Sequence, residues 1–434
     1  MEAQLLQPIS EAQASDRACS NDHCPSAAPD DTGSPSQSAG AEQSDTETSD
    51  INFEETPVVP YVVGLTLTGT RHAPPEPFGW RYTTENPPMV ENCDSLSQAE
   101  LCCMRLPLGG QTIQDDQITL TITDIIRAGF NTGAQLVVVN ETMVAKIFDP
   151  LCYRDYDYDI GSINVVYDAD GDYSREAAAY EQLQKSSAAR EVTPAFYGTW
   201  TIPVDTQLRD GDQLQKHTRQ VPLVLMEYVR GDTMRNVDAR ALTEQIRSCI
   251  LEKVIDNDIV IFHAGIDNPD TSPRNIIIAG LQANPEDNVP DGITVKEIDF
   301  NIATVRRHPG CHNYQMVREV DEERAVWLPK LQSPMIRWFS GMEDFAGDGW
   351  CPGEEGEPEL WLWEQYHNDE RYIPVIWDPS QPDARPQRVE FESGSETSVD
   401  SGLGLDMVIV KGDEDDGKSV VELDDQNASA VQSS

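Results

Sequence analysis

The run Asn268-Pro269-Asp270-Thr271-Ser272-Pro273-Arg274-Asn275 leads directly into Ile276-Ile277-Ile278, and a second β-rich run, Thr294 to Ile298, ends in Asp299-Phe300-Asn301. Two short strands separated by a polar loop carrying Pro285 and Pro290 read as a hairpin. The groups at its ends then converge on one cleft. Asp270 and Asn275, five residues apart, would stand at one strand's entry and Asp299 at the other's exit. A carboxylate so placed can accept a proton from an incoming hydroxyl, and Asn275 and Asp299 offer oxygen ligands to magnesium, a hard cation. Taken singly, each residue has a plainer explanation: Asn275 as a turn residue starting a strand, Asp299 as a cap, Asp270 in an Asx-turn. Their joint order and spacing favour the shared cleft.

A second constraint is Val144-Ala145-Lys146-Ile147-Phe148, a lysine inside an apolar strand. An ammonium held on a buried face needs an anion, either a carboxylate or a phosphate. On an edge strand it would instead snorkel to water. The Ala-rich stretch Ser174 to Ser187 has Glu176, Tyr180 and Leu183 at helical spacing, so Glu176 is a candidate partner, with Ser174 as the expected N-cap. Further strands are expected at Ile118–Ile126, Gln135–Asn140, Ala195–Ile202 and Val221–Tyr228, and an amphipathic helix at Val237–Asp256. No internal repeat is visible.

Both ends are different in kind. Residues 1–55 and 382–434 are rich in polar and acidic residues and too poor in apolar ones to offset the entropy of ordering, so both are expected to be disordered tails. The formal net charge is -45, from 76 acidic and 31 basic residues. A surface so acidic repels phosphate backbones and anionic lipid, which argues against nucleic acid or a membrane face as partner. It also repels ATP unless a local cluster of cations and metal ions overrides the field. No apolar run reaches membrane-spanning length, Met1 to Ser20 lacks the pattern of a secretion signal, and the nine cysteines are scattered. An intracellular protein, cytoplasmic or nuclear, without a disulfide framework or a cysteine metal site is the expectation.

Lys146, Glu176, the run Leu225-Met226-Glu227-Tyr228, Asp270 with Asn275, and Asp299-Phe300 follow one another in the order of the motifs of the protein-kinase-like superfamily. The chain resembles most the fungal group of atypical protein-kinase-domain proteins, which have a similar VAKIFDP strand, an SREAAAYEQL-like helix, an HAG followed by D-x-x-P-R-N, and an IDFN. The resemblance covers Gln117 to Ala303 well and extends more loosely to Val375. It implies an α+β, two-lobed fold: a β-rich N-terminal lobe at 56–228 with one helix, and a reduced helical lobe at 229–381. Lys146 would hold the α- and β-phosphates of ATP and pair with Glu176. Asp270 would be the catalytic base, Asn275 and Asp299 would bind Mg2+, and the backbone of Met226, Glu227 and Tyr228 would meet adenine. The turn Gly129-Phe130-Asn131-Thr132-Gly133 stands where the phosphate-covering loop belongs.

The chain also departs from the pattern. Asn268 stands where the family has the histidine that supports the catalytic loop, Pro269 precedes the aspartate, Asn301 replaces the glycine after Asp299-Phe300, and no Ala-Pro-Glu follows. The resemblance implies an ATP-dependent phosphotransferase acting on a protein or small-molecule hydroxyl. The departures leave open a pseudokinase that binds nucleotide or serves as a scaffold, and a small-molecule kinase of the aminoglycoside or choline type.

Overall fold

The computed structural model describes residues 59–158, 161–210, 213–281, 292–315, 318, 329–351, 358–381 and 384–389. The expected N-terminal tail at 1–55 lies outside the described residues, as does most of 382–434. The described residues all belong to one unit, Pro57–Ser434.

The Val- and Ile-rich runs form strands, and six of these close into an antiparallel barrel. In chain order they are β1 (Thr66–Ala73), β2 (Gln111–Arg127), β3 (Gln135–Val139), β4 (Met143–Ile147), β5 (Phe196–Asp210) and β6 (Gln213–Glu227). Their spatial order is β1-β2-β3-β4-β6-β5, and β5 returns to β1 through Thr70–Thr201 and Arg71–Trp200. Closure leaves the barrel no open edge. Because side chains alternate along a strand, β4 has two buried faces. Ala145 and Ile147 join Val137, Val139, Ile202, Leu223 and Leu225 inside the barrel. Val144 and Phe148 point the other way, into a second core with Tyr173, Tyr180, Val224 and Phe300. Lys146 shares that second face and is 4% exposed, so it does not reach water as an edge-strand lysine would.

Two elements run further than their sequence suggests. β5 and β6 pair without a break from Thr199–Val224 out to Asp210–Gln213, well past the apolar stretches. Their distal half is held by polar cross-strand pairs, including Thr218 Oγ to Asp205 at 2.7 Å and Arg219 Nε to Thr206 Oγ at 2.7 Å. The same Arg219 closes one end of the barrel. Its two terminal nitrogens meet the buried carboxylate of Asp149 at 2.5 and 3.0 Å, and Tyr61 donates to that carboxylate as well.

The helix expected to start at Ser174 instead spans Val165–Leu183 (α2, after the short α1 at Gln98–Met104), with Asn164 as N-cap accepting from the Tyr167 amide at 3.1 Å. Ser174 lies inside it, its hydroxyl donating to the Gly171 carbonyl. The first two turns contain Asp168, Asp170, Gly171 and Asp172, all poor helix formers. A remote partner and a local one offset that propensity: Arg105 holds Asp170 at 2.8 and 2.7 Å, and Arg175, three residues on in the same helix, holds Asp172 at 2.6 Å. At Gly171 a Cβ would lie 2.8 Å from the Arg175 guanidinium, so the glycine makes room for that contact.

The next long helix, α4 after the short α3 (Ser187–Val192), is displaced the other way and lies later than expected, at Glu244–His263 rather than Val237–Asp256. Thr243 caps it, while Asp238 caps a separate single turn at Ala239–Ala241. It ends at Gly265, whose φ of +100° is the left-handed stop that a glycine supplies. Beyond it, β7 (Ile276–Ala279) and β8 (Thr294–Glu297) pair antiparallel, with Ile276 opposite Glu297. Aromatic residues from the C-terminal part, including Trp338, Phe345, Trp350, Trp361 and Tyr372, pack on the Ile246, Ile250 and Val254 face of α4. Within the stretch read as the C-terminal tail, Gln387–Arg388 pair with Val375–Ile376. The architecture is α+β, with its sheet concentrated in the N-terminal half. No helix among the described residues is long and apolar enough to cross a membrane.

Candidate active site

The site grows out of β4. Lys146 faces α2, and its ammonium binds the Glu176 carboxylate and, at 2.5 Å, Oδ1 of Asp299. Glu176 is fully buried and its other oxygen, Oε1, has no hydrogen-bond partner among the described residues. Burial alone would lower the Lys146 pKa, but the carboxylates of Asp299 and Glu176 outweigh it and hold the ammonium charged. Burial pushes the Glu176 carboxyl up to about 7, opposed by Lys146. Burial acts in the same direction on Asp299, but there the lysine wins and the carboxyl stays below its usual range. One cation between two carboxylates leaves a local excess of negative charge, and the Asp299 side keeps it.

Asp299 has a φ of +67°, sparsely populated for a residue other than glycine and tolerated best by Asn and Asp. Residue 301 anchors this bend. The Asn301 amide N–H bonds the Asp299 carboxylate, its side chain donates to Asp172 at 3.2 Å, and its carbonyl accepts from Arg175 Nε at 2.6 Å. Asn301 therefore ties the segment to α2.

The other half is the loop ahead of β7. Asn275 donates through Nδ2 to the Asp270 carbonyl and to Asp270 Oδ2, both at 3.0 Å, which leaves Asn275 Oδ1 as its side-chain acceptor. Asp270 Oδ1 pairs with Arg274 and accepts from Ser272 Oγ at 3.3 Å. The two halves join directly, since the Ile298 amide, next to Asp299, donates to the Asn275 carbonyl at 2.9 Å. The sequence expectations for Lys146, Glu176, Asp270, Asn275 and Asp299 thus fall on one connected set of groups.

Two expectations fare differently. In the turn Gly129–Gly133 the amides of Gly129, Thr132 and Gly133 are taken up within the protein. The buried Gln135 side chain accepts from the Gly129 amide at 2.6 Å and donates to Thr132 Oγ and the Gly133 carbonyl. The Thr132 and Gly133 amides donate to the Cys152 carbonyl at 3.1 and 3.2 Å. A loop so engaged does not offer these N–H groups to a phosphate. At the end of β6, the Glu227 and Tyr228 amides also have internal partners, the carbonyls of Ala195 and Thr142, at 2.8 and 2.9 Å. The Glu227 side chain is turned to Lys296 and the Ala195 amide. The next amide, of the buried Val229, has no hydrogen-bond partner among the described residues. The sequence carries no signal that distinguishes it from its neighbours.

The donor set suits a magnesium nucleotide. Asn275 and Asp299 supply hard oxygen ligands, and magnesium is commonly held by one or two carboxylates together with substrate phosphates and water. Among the described residues no group of three or more His, Cys, Asp and Glu side chains is arranged to hold a metal by itself.

No family model and no curated protein matches the sequence. Among solved structures, the chain is similar to residues 1–466 of Rad53 in complex with AMP-PNP, at 20% identity over 42% of this chain and 39% of that one, with a TM-score of 0.28. It is also similar to two structures of WbdD, a bifunctional kinase-methyltransferase, at 15% and 14% identity over 57% of this chain, with TM-scores of 0.28 and 0.29. The chain spans between 39% and 52% of the length of these neighbours. At such TM-scores the likeness adds nothing to what the chain's own geometry supports.

Proposed function

We propose that this chain is a divergent kinase-like, ATP-dependent phosphotransferase with a two-lobed fold, the β-rich lobe at 56–228 and the second lobe at 229–381. One observation carries the proposal: the unbroken contact path from Glu176 through Lys146 and Asp299, and by way of the Ile298 amide, to Asn275 and Asp270. A buried lysine between carboxylates, beside a carboxylate-amide pair at the rim, is hard to explain as a stabilising device. Replacing such buried ion pairs with apolar residues is often neutral or favourable.

Lys146 would orient the phosphates of ATP, and Glu176 would hold Lys146 on the α2 side. Asn275 Oδ1 and the Asp299 carboxylate would hold Mg2+, whose chemistry is to neutralise charge on the transferring phosphoryl group. Asp270 would accept the proton of the attacking hydroxyl, kept in place by Asn275 and Arg274. The Val229 amide would take up one acceptor of the adenine edge. The acceptor is a hydroxyl on a protein or a small molecule.

A second reading has its own observation. Gln135 takes up the Gly129 amide and the Cys152 carbonyl takes up those of Thr132 and Gly133, and this favours a module that binds nucleotide without transferring phosphate. Thermal unfolding with and without Mg-ATP tests the site common to both readings, since a ligand bound only by the folded state raises Tm. Mg-ATP should raise Tm in the wild type, and Asp299→Asn should remove most of the rise. An equal rise in both proteins takes Asp299 out of the site, and no rise in the wild type ends both readings. Phosphate release from Mg-ATP, present or absent in the wild type, then separates the two.

A further inference from the structure

Glu297 is the last residue of β8, two positions before Asp299, and is 1% exposed. A buried carboxyl is costly unless its hydrogen bonds repay the lost water. Its Oε1 accepts from Asn268 Nδ2 at 2.9 Å and from Thr271 Oγ at 3.0 Å, the residues two before and one after Asp270. Asn268, itself buried, passes the contact on: its Oδ1 accepts from the Asp270 amide at 3.3 Å. The second oxygen of Glu297, Oε2, has no partner among the described residues. One oxygen with two donors from one loop, and a second oxygen left alone, is the pattern of a clamp and not of an ion pair.

We propose that Glu297 is the positioning residue of the Asp270 loop, coupling the strand that carries Asp299 to the loop that carries the base. The loop reaches β8 at two points, through Glu297 Oε1 and through the Ile298 amide on the Asn275 carbonyl. Asn268 is thereby a working part of the loop, with Glu297 as its support from the neighbouring strand. Arg337 is committed elsewhere: it holds Asp258 at 2.5 and 2.8 Å and Asp267 at 3.1 Å. The catalytic part of this inference rests on the phosphotransfer reading, whereas the clamp itself does not.

The test uses the full-length protein and its Glu297→Gln and Glu297→Ala variants. Gln keeps a carbonyl oxygen for both donors, and Ala keeps neither. Hydrogen exchange is followed at the Asp270 and Asn275 amides, with the α2 amides as reference. Glu297→Ala should speed exchange in the loop by about tenfold or more, Glu297→Gln should stay within about twofold of wild type, and α2 should not change. Phosphate release from Mg-ATP should show a lower kcat in Glu297→Ala with KM for ATP unchanged, restored by Gln. An unchanged loop in the Ala variant overturns the clamp, as does an equal rise throughout the molecule or a Gln variant as mobile as Ala. If the loop responds locally while the wild type releases no phosphate, the clamp stands and the phosphotransfer reading falls.

Discussion

On the barrel side of the cleft, Lys146 sits between Glu176 and Asp299 with almost no access to water, and its position is set by charge. On the loop side, Asp270 is partly exposed and is held by Asn275, Ser272 and the exposed Arg274, while the loop beneath it hangs on Asn268, Thr271 and the buried carboxyl of Glu297. The barrel side resists loss of a partner because an unpaired buried charge has nowhere to go. The loop side depends on shape, since each of its hydrogen bonds is modest alone and acts through the angle it imposes on Asp270. Variants on the barrel side should therefore register first in stability, and variants on the loop side first in turnover.

The largest expected effect is kinetic and lies on the loop side. Asp270→Ala should lower phosphate transfer by about 10²–10⁴-fold, the usual worth of a general base, while leaving the Mg-ATP shift in Tm nearly intact. Steady-state phosphate release with generic protein and small-molecule acceptors measures it. Equal turnover in wild type and variant would reduce the loop to a structural turn.

Next comes the barrel side. Lys146→Met leaves Glu176 and Asp299 without their cation and should cost about 3–5 kcal/mol in urea unfolding. The penalty should be larger at pH 8 than at pH 5, because protonation of Glu176 relieves the unpaired charge at low pH. A penalty independent of pH would mean that the carboxylates do not carry the effect.

A smaller effect separates the two sides through pH alone. The folded-state pKa of Glu297 is raised to about 7 from an ordinary 4.5, by burial first and then by Asp258, against hydrogen bonds from Asn268 and Thr271 and the charge of Arg337. For an acid with a raised folded pKa, the stability it contributes is complete below its unfolded pKa and is lost as pH rises through its folded pKa. Stability attributable to Glu297 should therefore decline between about pH 4.5 and 7, by at most about 1.4 kcal/mol per pH unit. Chemical unfolding across that window should show a shallower decline in Glu297→Gln than in the wild type. Parallel curves would remove Glu297 as the titrating group.

The smallest effect concerns the link between the two halves. Asn301→Gly removes the hydrogen bond to Asp172 and frees the backbone beside Asp299, and should cost about 1 kcal/mol of stability. Faster hydrogen exchange confined to residues 299–303 would show that the asparagine restrains this bend. No change there would leave the restraint to Arg175.

Much of the site was legible in the sequence because it is written in local patterns. The apolar run around Lys146 called for a strand with a buried face, and the spacing of Asp270, Asn275 and the Ile276–Ile278 run called for a loop entering a strand. A polar residue on an apolar stripe announces itself wherever the stripe is regular. The start of α2 was not legible, because Asp168, Asp170, Gly171 and Asp172 are poor helix formers and Arg105, the partner of Asp170, lies 65 residues from it. Neither was the closing of the Gly129–Gly133 turn by Gln135, nor the free amide at Val229 in place of those at Glu227 and Tyr228. Glu297 reads as one more polar residue of an exposed strand until Asn268, 29 positions away, is found beneath it. Periodicity and turn chemistry act over a few residues and survive in any correct fold, so the chain alone indicated its candidate acids and the apolar parts of its strands, though not β1 or the polar extensions of β5 and β6. Which buried polar group meets which depends on contacts between distant segments, and those exist only once the barrel, α2 and the β7–β8 pair have packed together.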